Sequence, residues 1–142
     1  MDKSLEDLEK KFILDADMEH KDINSLISRI LNLCQVDKNG FVKIEDKFLK
    51  KLNLIDKIIL ILSARHLANK LQTKLGKEVT IREEMTSQEI ANMLREKKIV
   101  INARLKELKD KKQAIPVERG TYKVAPYAVS DILDKMEAQK NE

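Results

Sequence analysis

Residues 86–125 carry two amphipathic helical patterns joined by only four residues, with a strand–loop–strand pattern directly behind them. So short a connection makes the two helices neighbours in space. Thr86-Ser87-Gln88-Glu89 opens the first helix with capping-box spacing. The Thr86 hydroxyl can accept from the Glu89 amide while the Glu89 carboxylate reaches back to the Thr86 amide. Ile90, Ala91, Met93 and Leu94 supply its apolar patch, and the pattern predicts an end near Lys97. The second helix is predicted over residues 99–112. Ile101, Leu105 and Leu108 recur at four and three residues and so share one side, from which Asn102, Ala103, Lys106 and Lys109 fall away. Ala114, Ile115 and Val117 then predict a strand, Gly120 a turn, and residues 122–125 the returning strand. Pro126 opens or delimits a last helix with Val129, Ile132, Leu133 and Met136 on its apolar stripe.

Upstream, residues 54–75 predict a long helix with Leu54, Ile58, Ile61, Leu62, Leu67, Leu71 and Leu75 on an extensive apolar surface. Arg65 interrupts that surface and needs a partner or a route to water along its stem. Gly76 fits the helix stop, and residues 79–81 predict a short strand. A helix over residues 23–35, capped by Asp22, has Ile23, Leu26, Ile27, Ile30, Leu31 and Cys34 on its apolar stripe. Another is predicted over residues 4–18, with Leu5, Leu8, Phe12 and Ile13 near one side. The DKNG turn at residues 37–40 precedes a strand around Phe41, Val42 and Ile44, whose partner the pattern does not identify. The expected fold class is mainly α with short β-strands. Its expected organisation is an acidic N-terminal helical region over residues 1–50 and one domain over residues 51–142.

Charge is unevenly spread. Residues 95–123 hold ten basic and four acidic side chains, a net of +6, whereas residues 1–50 have a net of −2. Concentrated positive charge on one helix and its hairpin steers polyanions toward that surface. Motifs for chemistry are missing: there is no glycine-rich phosphate loop, nucleophile elbow or paired thiol. His20 and His66 are far apart and without a metal-ligand cluster, so no cofactor, metal or catalysis is expected. Residues 35–46 resemble part of an EF-hand loop. Gln35 stands in place of its first carboxylate and Asp46 in place of its bidentate glutamate, which favours a structural turn over calcium. Cys34 has no second cysteine to pair with and is expected to pack as a small hydrophobe. MDKSLEDLEK lacks an apolar secretion region, and residues 58–62 are too short to cross a bilayer; the expected location is the cytoplasm or nucleoid.

The order helix, short strand, helix, helix, strand, loop, strand, helix from residue 54 resembles a winged helix-turn-helix domain, as found in archaeal DNA-binding regulators and chromatin-associated proteins. The resemblance covers residues 54–138 and is carried by TSQEIANMLREKKIVINARLKELKDKKQAIPVERGTYKVAP. It implies a supporting helix at residues 86–97, a recognition helix at 99–112 and a wing at 114–125. It implies double-stranded DNA as partner, with Lys98, Asn102, Arg104, Lys106, Lys109, Arg119 and Lys123 as contact residues. Asn102 suits a base edge, the cations of the helix suit phosphate or bases, Arg119 suits a minor groove and Lys123 phosphate. A symmetric homodimer would present two such helices to successive major grooves. The sequence departs from the family in its helix–helix turn, where Arg95-Glu96-Lys97-Lys98 replaces a small or glycine-containing link. Ile99 and Val100 also stand where polar residues are usual. Those two side chains make a protein-interaction adaptor on the same fold the alternative expectation.

Overall fold

The computed structural model describes Leu5 and residues 16–140, with side chains over the stretch Ile23 to Ala138. Helix α1 (Ala16–Ile30) leads into a hairpin of β1 (Cys34–Val36) and β2 (Val42–Ile44). The single turn α2 (Asp46–Leu49) and the long helix α3 (Leu54–Lys74) follow. Next come β3 (Met85–Thr86), α4 (Ser87–Leu94), α5 (Lys98–Asp110), β4 (Ala114–Glu118), β5 (Thr121–Val124) and α6 (Pro126–Lys140). The fold is mostly helical with two small antiparallel sheets, β1–β2 and a three-stranded sheet of order β3-β5-β4. The helix expected over residues 4–18 falls almost wholly outside the described residues.

Helix α3 is the axis of the core. Every residue from Ile58 to Leu67 is buried, so the helix is enclosed on all sides rather than along one stripe. It touches α1, α4, α5, α6 and strands of both sheets. One hydrophobic cluster runs from Ile30 and Leu33 through α3 to Ile101, Leu105, Val124, Leu133 and Met136, and so includes residues from both sides of position 50. Burial of each large aliphatic side chain contributes about 1.5–3 kcal/mol, which makes this cluster the main source of cohesion. Polar pins hold the outer helices. Arg29 of α1 pairs with Asp134 and Glu137 of α6, both at 2.6 Å. Lys135 of α6 reaches the buried Asp56 of α3 at 2.8 Å.

Arg65 is the interruption in the α3 surface, and it lies inside. Its guanidinium donates to the carbonyls of Gly40 (2.7 Å), Arg82 (2.7 Å) and Glu84 (3.3 Å), with the Glu89 carboxylate at 3.6 Å. Burial lowers its pKa, an effect that Glu89 and Glu84 oppose. Five N–H donors let one side chain satisfy carbonyls from both the β1–β2 turn and the loop before β3. Gly40 has φ +87, and an added Cβ would lie 2.6 Å from the Arg65 guanidinium. Only glycine fits that turn beside that cation.

Four expectations are corrected. Asp22 does not cap a helix, because α1 already starts at Ala16 and runs through it. Cys34 lies in β1 rather than at a helix end, and β1 is the partner β2 lacked. The Asp37 carboxylate accepts the Asn39 and Phe41 amides at 2.8 and 2.9 Å, fixing the turn that pairs Cys34 with Ile44. A helix continued to residue 35 would have left the β2 backbone without that partner. Cys34 is buried, where it packs as a small hydrophobe, and burial pushes its thiol up to about 12. Leu31 and Leu75, expected on the apolar surfaces of their helices, are exposed. Residues 79–81 form no strand. Gln72 Oε1 takes the Thr80 and Ile81 amides, and Asn69 donates to the Ile81 carbonyl, so α3 side chains supply what a strand partner would have given. The strand forms instead at Met85–Thr86, against Tyr122 and Thr121.

Candidate nucleic-acid interface

Helix α4 starts from a closed capping box. Thr86 Oγ1 accepts the Glu89 amide at 3.1 Å, and Glu89 Oε1 accepts the Thr86 amide at 3.3 Å. The helix ends at Leu94, three residues before the expected Lys97. Arg95 adopts the left-handed conformation (φ 56, ψ 44), and the amides of Arg95 and Glu96 both turn back to the Ala91 carbonyl. This is a helix stop of the kind glycine usually makes. An arginine there costs about 1–2 kcal/mol of local strain. Glu96 is exposed.

Helix α5 is anchored by Ile101, Leu105 and Leu108, each 0% exposed. With 100° per residue, Lys98, Asn102, Lys106 and Lys109 fall within an arc of about 80° beside that anchor. All four are exposed. Arg104 lies across the buried stripe from them and pairs with Glu107 at 2.5 Å. It belongs to the opposite flank of the helix and its charge is already partnered.

The hairpin β4–β5 pairs Ala114 with Val124, Ile115 with Lys123 and Pro116 with Tyr122, with an irregularity before Glu118 meets Thr121. Residues 115–120 are exposed throughout. Gly120 makes the turn with φ +77, and its carbonyl accepts the Ser87 amide at 3.2 Å, tying the hairpin end to the start of α4. Arg119 sits in that exposed loop. Lys123 is half-buried, and its positive charge helps hold the Glu83 carboxylate below the ordinary range. The leading cause of that depression is the hydrogen bond with His66 Nδ1 at 2.6 Å; burial opposes it, and Lys70 adds to it. Of the seven residues named from sequence, then, four share one arc of α5, Arg119 lies in the hairpin loop, Arg104 pairs with Glu107, and Lys123 is half-buried on β5.

Of the two apolar residues flagged at the start of α5, Ile99 is exposed and Val100 is half-buried, and the uncapped helix start itself was missed by sequence reasoning. Ile99 is 76% exposed, more than any other large apolar side chain among the described residues. The start of α5 has no side-chain cap and no acidic residue in its first turn; Lys97 occupies the cap position and Lys98 the next. The missing Ser, Thr, Asp or Asn before Ile99 was the readable signal. Among the described residues no helix is long and apolar enough to cross a membrane, and no three His, Cys, Asp or Glu side chains cluster as metal ligands. No protein-family model, no curated protein and no solved structure matches the chain.

Proposed function

We propose that this chain binds double-stranded DNA through a winged helix-turn-helix domain, with α5 as the recognition helix, α4 as its support and β4–β5 as the wing. One observation carries the reading: three fully buried aliphatic side chains fix α5 from behind while Lys98, Asn102, Lys106 and Lys109 share an exposed arc free of carboxylates. A helix held that way can lie in a major groove with cations at phosphate and an amide at a base edge. The order of elements from α3 to α6 and the tie between Ser87 and Gly120 support the same reading, because they bring the hairpin to the helix pair. Regulation of transcription or organisation of chromatin is the role such binding serves. A homodimer would double the contact across successive grooves.

The test is a salt series with a labelled random-sequence duplex and a single strand, read by fluorescence anisotropy. The expected result is duplex binding whose logarithm falls linearly with the logarithm of salt. Joint replacement of Lys106, Lys109 and Arg119 by glutamine lowers that slope by about one unit per lost phosphate contact. An unchanged slope removes this surface from the assignment.

A second reading, a protein-interaction adaptor, rests on the exposed Ile99 together with the exposed carboxylates Glu96 and Asp110 near the two ends of α5. It predicts saturable binding of a protein partner that duplex DNA does not displace.

A further inference from the structure

Ile99, Asn102, Ala103 and Lys106 stand at positions i, i+3, i+4 and i+7 of α5, and all four are exposed. That spacing places them on one helical face, toward the N-terminal half of the helix. The face is chemically mixed in a specific way. Asn102 has one donor and one acceptor on the same planar amide. Ile99 and Ala103 flank it with bare methyl groups, and neither carries a group that can bond a base edge. An isoleucine 76% exposed at the second position of a helix gains nothing from its own fold. It gains by covering another apolar group.

The major-groove edge of an adenine–thymine pair is the complement of that face. Adenine presents N7 as acceptor and N6 as donor, which a single amide meets in a bidentate pair, and thymine presents a C5 methyl. A guanine–cytosine pair presents two acceptors and one amine and no methyl. On the guanine edge, with its two acceptors, the Asn102 carbonyl would go unmatched, and Ile99 and Ala103 would find no methyl. We propose that α5 prefers adenine–thymine pairs, with Asn102 on the adenine edge and Ile99 and Ala103 on thymine methyls, while the lysines set register on phosphate. This rests on the DNA-binding reading above and adds to it a base preference and the residues that determine it.

Replacing thymine by deoxyuridine removes only the methyl group and leaves pairing and backbone charge in place. The full chain is titrated, by anisotropy at fixed salt, with three 24-base-pair duplexes: adenine–thymine-rich, the same sequence with uracil for thymine, and guanine–cytosine-rich. The expected order is thymine tightest, then uracil about five-fold weaker, then guanine–cytosine weaker again. Ile99→Ser narrows the gap between the thymine and uracil duplexes, Ile99→Ser with Ala103→Gly closes it, and both leave the salt slope unchanged, since no phosphate contact is lost. Asn102→Ala narrows the gap between the adenine–thymine and guanine–cytosine duplexes. Equal affinity for thymine and uracil duplexes, with a normal salt slope, sinks the base preference and leaves duplex binding standing. A thymine–uracil gap that is undiminished in the Ile99→Ser, Ala103→Gly double variant also sinks it, by assigning the gap to the duplex itself. No binding to any of the three removes both proposals. Self-association of the DNA-free chain that Ile99→Ser abolishes gives Ile99 to a protein interface and overturns the inference.

Discussion

Helices α4 and α5 meet at Arg95, and they begin in opposite ways. The start of α4 is closed by its own side chains: Thr86 and Glu89 satisfy each other's amides, and Arg65 reaches the Glu84 carbonyl just before it. The start of α5 has no side-chain cap, no acid in its first turn, and lysines at the cap and first positions. The positive end of a helix favours anions, so lysines there are set against the local field. The same chain therefore completes one helix start internally and leaves its neighbour open and cationic. Under the proposed function a DNA phosphate would meet that open end.

The largest effect should come from the closed side. Arg65→Leu removes the donor to three carbonyls, those of Gly40, Arg82 and Glu84, while keeping an apolar stem in the core. We expect a loss of about 3 kcal/mol or more in urea unfolding, since bonds to a charged donor are strong and buried acceptors left alone are costly. A loss under about 1 kcal/mol would mean that the α4 side is not held from within.

The next two substitutions invert each other. Thr86→Ala opens the closed helix and should cost about 1 kcal/mol of stability with little change in duplex affinity. Lys97→Asp caps the open helix and should raise stability by about 0.5–1 kcal/mol. It should also weaken duplex binding by about ten-fold, because it removes a cation and adds an anion beside Lys98. If Lys97→Asp raises stability and leaves duplex affinity intact, the open helix start has no part in binding.

Arg95→Gly acts on the turn between the two helices. Glycine relieves the left-handed backbone at φ 56 but gives the unfolded chain more freedom. The net expectation is a gain of about 0.5 kcal/mol, read as a higher urea midpoint at unchanged slope.

How much of this was legible in the sequence follows the same division. The closed side was written locally: Thr86 and Glu89 are three residues apart, and the box formed as the spacing required. The inner stripe of α5 was equally local, and Ile101, Leu105 and Leu108 are all fully buried. What failed was long-range. Ile81 has a strand-like neighbourhood, but Gln72 and Asn69 of α3 took its backbone groups, and no local pattern announces that. Cys34 has helical spacing with Ile30, yet the Asp37 turn pulled it into a strand opposite Ile44. The site was legible only as a set of cations. Whether a cation is available depends on its surroundings: Glu107 engages Arg104, and Lys123 is half-buried with its charge acting on Glu83 from a distance. Helical spacing could have announced the first of these pairs, three residues apart on α5. The second joins a strand to a loop some forty residues earlier in the sequence, beyond the reach of periodicity.

The mildest test is one of pH, and it probes the closed side through Glu83. The His66 hydrogen bond, aided by Lys70 and Lys123, holds the Glu83 carboxylate below the ordinary carboxylate range against the effect of burial. A carboxyl group with a depressed folded pKa stabilises the native state at every pH above its unfolded pKa, and that contribution is lost as pH falls through the folded value. The stability difference between the native chain and Glu83→Gln should therefore shrink steadily as pH falls below about 4. Urea unfolding at a series of pH values measures it. Ile99→Ala, which changes no titratable group, serves as the control, and its difference should stay flat over the same range. A Glu83→Gln difference that is equally flat down to pH 3 would show that Glu83 is not held as an ion behind α4. The contrast between the two helix starts would then rest on the capping box and Arg65 alone.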